Sequence, residues 1–171
     1  MRKIVAGLMM SIDGVVEAPE TWTGPYFSPE IGQVVGSVMA NGDTKTIGEF
    51  KVDAIPMYNL KRGPEPGKLY HDKGRGNGYV LTYGGNRFYI SGDTEGIPEM
   101  RALKNIDVAF VCMNLPYTMP PDEAADAVKA FHPKIVIPYH FHGSDLKVFE
   151  DALKGTGIEV RVLDWYPKAA S

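Results

Sequence analysis

Apolar positions along this chain fall into short runs and spaced sets that predict alternating strands and helices. Ile4 to Met10 is an unbroken apolar run closed by Asp13-Gly14, the pattern of a buried strand. After a loop with Pro19, Gly24 and Pro25, Ser28-Pro29-Glu30-Ile31 reads as a helix start, Ser28 as N-cap and Pro29 at the first helical position. Ile31, Val34, Val35 and Val38 keep helical spacing until Asn41-Gly42. Ile47 to Ile55 alternates apolar and polar residues and predicts one half-buried strand. Residues 60–77 read as loop, and Gly78–Tyr83 with Arg87–Ser91 flank the hairpin signal Gly84-Gly85-Asn86. Then follow a short helix over 97–104, a buried strand over 107–113 and a helix opened by Pro120-Pro121-Asp122-Glu123 with Ala125, Val128 and Phe131 on one face. A strand over 134–139, a helix over 144–154 and a strand over 159–163 complete the series. This alternation predicts an α/β layered architecture without internal repeats or low-complexity tracts.

Composition narrows the class further. The 171 residues are 44% hydrophobic and 23% charged, which is globular and not disordered. The net charge of -3, from 18 basic and 21 acidic residues, gives no support to a nucleic-acid partner. One cysteine, Cys112, excludes an internal disulfide and fits a reducing compartment. No apolar run approaches the ~20 residues of a membrane span, and Arg2-Lys3 leads into a strand with no cleavage site. A cytoplasmic protein without a membrane partner is expected.

Two resemblances meet near residue 43. Arg2 to Glu17, continued through Trp22, Pro25-Tyr26-Phe27 and Gly42-Asp43-Thr44, resembles the opening of dihydrofolate reductase-like proteins of the riboflavin-reductase C-terminal type. The Gly-Arg-x-Thr and glycine-rich turns that hold NADPH in that family have no match here. Thr46 to Val52, Gly74-Arg75-Gly76-Asn77-Gly78-Tyr79, Gly92-Asp93-Thr94-Glu95 and Tyr139-His140 resemble the C-terminal half of metallo-β-lactamase-fold hydrolases, over about 44–166. The resemblances together imply a chimera, with a reductase-like segment at 1–43 and a hydrolase half at 44–171, expected to fold as one domain. The implied fold is α/β, half of a metallo-β-lactamase αββα sandwich with an added N-terminal strand and helix, completed by homodimerisation through an exposed apolar sheet face.

The principal metal motif of the hydrolases, His-x-His-x-Asp-His, is absent. The resemblance leaves Asp93, the usual bridging carboxylate, and His140, the last histidine ligand. Two protein ligands are too few for a catalytic zinc. By its own sequence context, Asp93 is more simply a cap on the turn or helix that follows, and the resemblance brings metal binding level with that reading. His142 would share a strand face with His140 if that strand continues, or else faces solvent from a loop. His71 is a third ligand or proton shuttle, or an exposed loop histidine. Asp145 fits the first turn of a helix better than a ligand set, and His132 belongs to a helix end outside the site. Cys112 reads as a small buried hydrophobe. For Tyr117 and the aromatics around 22–27, core packing is the simpler reading and pocket lining the alternative.

The function these readings imply is metal-dependent hydrolysis of an ester, lactone or phosphoester at a site built across a homodimer. The metal would be zinc, with iron or manganese as alternatives, and would supply a bound hydroxide. Asp93 and His140 would be catalytic, and Asp93, His140, His142 and His71 metal-binding. A non-catalytic recombinant fold or binding module with a vestigial site is the alternative, followed by an NADPH-dependent reductase.

Overall fold

The computed structural model describes residues 39–165, which include the whole compact unit Met39–Leu163. The strand expected over 4–10, the helix expected from Ser28, the aromatics around 22–27 and nearly all of the reductase-like segment 1–43 lie outside the described residues.

Among the described residues, seven strands form one sheet in chain order: β1 (Thr44–Ile47), β2 (Phe50–Met57), β3 (Gly76–Tyr83), β4 (Asn86–Ile90), β5 (Val108–Cys112), β6 (Ile135–Tyr139) and β7 (Glu159–Val160). The first four are antiparallel to their neighbours, and from β4 onward pairing is parallel. Three helices make the parallel crossovers: α1 (Pro98–Arg101), α2 (Pro121–Phe131) and α3 (Leu146–Leu153). Crossovers of one hand that advance in one direction place their helices on one face of a sheet. In keeping with this, α2 packs against both α1 and α3.

The single strand expected over 47–55 is instead the hairpin β1–β2. Ile47 pairs with Phe50, and Gly48 takes a φ of +59° as the first of the two loop residues. Strict alternation holds only from Phe50 through Val52 to Ala54; the break in parity after Ile47 is the turn. The second hairpin forms as expected. Gly84 and Gly85, with φ of +56° and +79°, are the left-handed pair that a two-residue loop between twisted strands requires.

Register explains the core. Val80, Tyr89, Ala109 and Val136 stand opposite one another across four strands, and all are fully buried. The Tyr89 ring meets Phe131 of α2 edge-on at 5.8 Å, so this row lies on the helix side. On α2, Ala124, Ala125 and Ala127 are buried with Val128 and Phe131, and their small side chains allow close approach. The adjoining rows, Leu81–Phe88–Val108–Ile135 and Tyr79–Ile90–Phe110, point to the opposite face and are only half-buried. No helix among the described residues is long and apolar enough to cross a membrane.

Gly78 marks the tightest approach in the sheet that concerns the site. A Cβ there would lie 2.6 Å from the Ser91 carbonyl oxygen and 2.7 Å from that of Ile90, both backbone atoms. Gly78→Ala should therefore cost about 1–3 kcal/mol by overpacking, read as a lower urea midpoint; an unchanged midpoint would show that the backbone at 90–91 moves freely.

Candidate functional site

The C-terminal ends of parallel strands are where open α/β sheets gather functional groups, and two of the expected residues emerge there. Beyond β4 the chain runs through Ser91, Gly92 (φ +65°) and Asp93; beyond β6 it turns at once, at His140 (φ +47°). The amide of Ser91 bonds Phe110 O at 3.0 Å, and the amide of Cys112 donates to Ser91 Oγ at 3.1 Å, which fixes this corner to β5. Asp93 Oδ1 lies 2.8 Å from His140 Nδ1. His71, from the loop between β2 and β3, brings Nε2 to 3.7 Å from Asp93 Oδ2. Asp93 is thus no helix cap: the N-cap of α1 is Ile97, and the Asp93 carboxylate faces two imidazoles.

His142 does not share a strand face with His140. β6 ends at Tyr139, and the left-handed backbone at His140 breaks the alternation that would have aligned positions 140 and 142. His142 is exposed. Asp145 caps α3, accepting from the Lys147 amide at 3.0 Å. His132 is the left-handed C-cap of α2, its Nε2 2.9 Å from Thr156 O. Cys112 is fully buried, and desolvation pushes its thiol up to about 11. Tyr117 is not in the core: it is 47% exposed, its ring edge-on to Tyr70 at 5.1 Å.

Two asparagines absent from the sequence reading belong to the site. Asn114 Nδ2 lies 3.0 Å from His140 Nε2. Asn59, just past β2, is buried, and its side chain meets His71, Glu95 and Tyr117. Neither is marked by spacing or periodicity, since only the fold brings residues 59, 71 and 95 together.

The loop bearing His71 is held by charge. Glu95, 1% exposed, takes the Arg62 amide at 2.9 Å and the Asn59 side chain at 3.1 Å, with Arg62 Nη1 3.4 Å from its other oxygen. Arg62 also grips Glu123 of α2 through two bonds of 2.8 Å, and Lys61 adds a third.

Environment drives the two imidazoles apart. The hydrogen bond with Asp93 raises the pKa of His140 against burial. Burial lowers that of His71; the Asp93 charge opposes this, and the charges of Arg75 and His140 reinforce it. At Asp93 itself burial disfavours the charge, but the hydrogen bond from His140 and the two imidazole charges hold the carboxyl below its ordinary value. One proton is thereby favoured on His140 and disfavoured on His71, the arrangement that separates an acid from a base.

A carboxylate and two imidazoles are the donor chemistry of a divalent transition-metal site. They fit such an ion in kind but not yet in placement: among the described residues, no group of three or more His, Cys, Asp or Glu side chains is placed to hold one.

The beta-lactamase superfamily domain matches residues 20–140. The match begins inside segment 1–43, and the reductase-like reading and the chimera drawn from it gain no support. Metal-dependent hydrolases of Deinococcus radiodurans and Anaeromyxobacter dehalogenans are each 36% identical, over 98 and 133 residues, or 53% and 72% of this chain. The chain spans 43% and 48% of their respective lengths, less than half. The crystal structure of a candidate metal-dependent hydrolase of Parabacteroides distasonis superposes on 79% of this chain and 61% of that one, with a TM-score of 0.69 and 45% identity. A metallo hydrolase of Ignicoccus hospitalis, 20% identical, shares the fold over 78% of this chain and 61% of its own, with a TM-score of 0.60.

Acid should loosen the His71 loop in a defined window. The hydrogen bonds from Arg62, then Lys61, outweigh burial and hold Glu123 down from 4.5 to about 2. A depressed folded-state value means stability that is present above 4.5 and lost as pH falls toward 2. Glu123→Gln should remove that part of the acid sensitivity in melting curves across this range; an identical pH profile would show the clamp to be inert.

Proposed function

This chain belongs to the beta-lactamase superfamily domain family, and from that premise we propose that it acts as a metal-dependent hydrolase, with Asp93, His140 and His71 forming one side of the site. The observation that carries this reading is their convergence at the ends of β4 and β6, with Asp93 2.8 Å from one imidazole and 3.7 Å from the other. Joined by ligands from elsewhere, Asp93, His140 and His71 would help to hold a divalent ion, zinc before iron or manganese, and such an ion would supply Lewis acidity and a nucleophile at neutral pH. Asp93 keeps the His140 proton on Nδ1, which would leave Nε2 for the ion, while His71 keeps a free lone pair.

The sequence contains four histidines, at 71, 132, 140 and 142, so further imidazole ligands have to come from elsewhere. A second copy of this chain is the source we favour, docked through the half-buried face of Leu81, Phe88, Val108 and Ile135. His142, exposed just past His140, would reach such a neighbour.

Among esters, lactones and phosphoesters, Arg75 favours the anionic phosphoesters. The other cations of 60–75 have carboxylate partners: Lys61 and Arg62 with Glu123, Lys68 with Glu65 and Lys73 with Glu99. Among the described residues, the Arg75 guanidinium faces no carboxylate and donates to the Tyr70 carbonyl at 2.9 Å, beside His71. Arg75→Ala should raise KM for bis(p-nitrophenyl) phosphate and leave that for p-nitrophenyl acetate unchanged; equal effects on both would remove the phosphoester preference.

Metal content and mass in solution test the whole reading. The purified protein should carry zinc, iron or manganese as a dimer and lose hydrolysis to a chelator. Asp93→Ala and His140→Ala should each reduce bound metal by more than the roughly 10- to 100-fold that follows loss of an outer-shell partner. A metal-free monomer indifferent to chelator, in which both variants alter stability alone, would establish the non-catalytic alternative.

A further inference from the structure

We propose that Asn59 is a positioning residue that holds the His71 imidazole in its Nδ1–H form, with the Nε2 lone pair turned toward Asp93. The argument rests on partners that can play only one role. The Asn59 carboxamide oxygen receives the backbone N–H of His71 at 2.8 Å, and a backbone N–H can only donate. The carboxamide nitrogen lies 3.1 Å from Glu95 Oε1 and 2.9 Å from the Tyr117 carbonyl oxygen. That carbonyl can only accept, and Glu95 Oε1 is already receiving the Arg62 amide. Exchanging the two ends of the carboxamide would set N–H against N–H at one contact and oxygen against oxygen at two. The orientation of the amide is therefore fixed by its surroundings.

That orientation decides the fourth contact. His71 Nδ1 lies 2.9 Å from the same carboxamide oxygen. An oxygen that can only accept requires the hydrogen to sit on Nδ1. In the neutral ring the lone pair then belongs to Nε2, which stands 3.7 Å from Asp93 Oδ2, beyond hydrogen-bond range. Asn59 is 1% exposed and its own amide donates to the His71 carbonyl at 2.9 Å, so both backbone and side chain register the two residues against each other. A histidine serving a metal or accepting a proton must present an unprotonated nitrogen, and a hydrogen bond at the other nitrogen selects which one it is. What the lone pair is for rests on the hydrolase reading; that it lies on Nε2 does not.

Nitrogen-15 spectra of the full chain labelled at the histidine rings, recorded without metal at a pH where His71 is neutral and assigned with His71→Gln, test this directly. The expected pattern is a pyrrole-type Nδ1 and a pyridine-type Nε2 at His71. Asn59→Leu should bring in the pyrrole-type Nε2 signal and weaken zinc binding about 10- to 100-fold. A pyridine-type Nδ1 in the wild-type chain overturns the proposal, and that spectrum decides even where Asn59→Leu fails to fold. Because neither metal nor substrate is needed, the reverse tautomer in an active enzyme refutes this inference alone, and the expected tautomer in an inactive, metal-free chain refutes the hydrolase reading alone.

Discussion

Burying a carboxylate as completely as Glu95 is buried costs several kcal/mol unless its oxygens are met by donors, and here all the donors come from one short stretch of chain. The Arg62 amide, the Arg62 guanidinium and the Asn59 side chain all converge on it. Thr94, next to it, exchanges hydrogen bonds with the backbone of Tyr58. The loop after β2 is consequently tied to the loop after β4, and the two site residues they carry, His71 and Asp93, are brought within 3.7 Å. The bonds of Lys61 and Arg62 to Glu123 and of Asn59 to the Tyr117 carbonyl add to this tie and hold residues 59–71 over the sheet's end.

The sheet supplies the other half of the geometry. Parallel pairing of β4, β5 and β6 sets their C-terminal ends side by side, so that Asp93 and His140, 47 residues apart, meet at a hydrogen bond. The left-handed turn at His140 ends β6 and swings the imidazole toward its partner. The same turn takes His142 out of the strand alternation that would have aligned it with His140.

Much of the architecture was legible in the residues. Gly84-Gly85 marked its hairpin with Arg87–Ser91 as the returning strand β4, and the double proline at 120–121 marked the start of α2. Where reading failed, the cause was local. Alternation over 47–55 passed over a parity break at Gly48, so one strand was expected where two pair. Tyr117 carried the hydrophobicity of a core residue but is used through its carbonyl, a role no side-chain pattern encodes. Asp93, His140 and His71 were recognisable by type and by likeness to a family. Asn59 and Asn114 were not, because an asparagine's task is set by which groups the fold aims at its two ends.

Among the described residues, the order of strands in the sheet is the order of strands in the chain, and none is inserted between two that are already paired. The two hairpins join residues close in sequence, whereas the parallel pairings and the site join distant ones, residue 71 to residue 93 and residue 93 to residue 140. A chain emerging from the ribosome can complete both hairpins and still lack a site. Only when β6 docks does the second imidazole arrive, so any ligand that binds there reads out whether synthesis has passed His140.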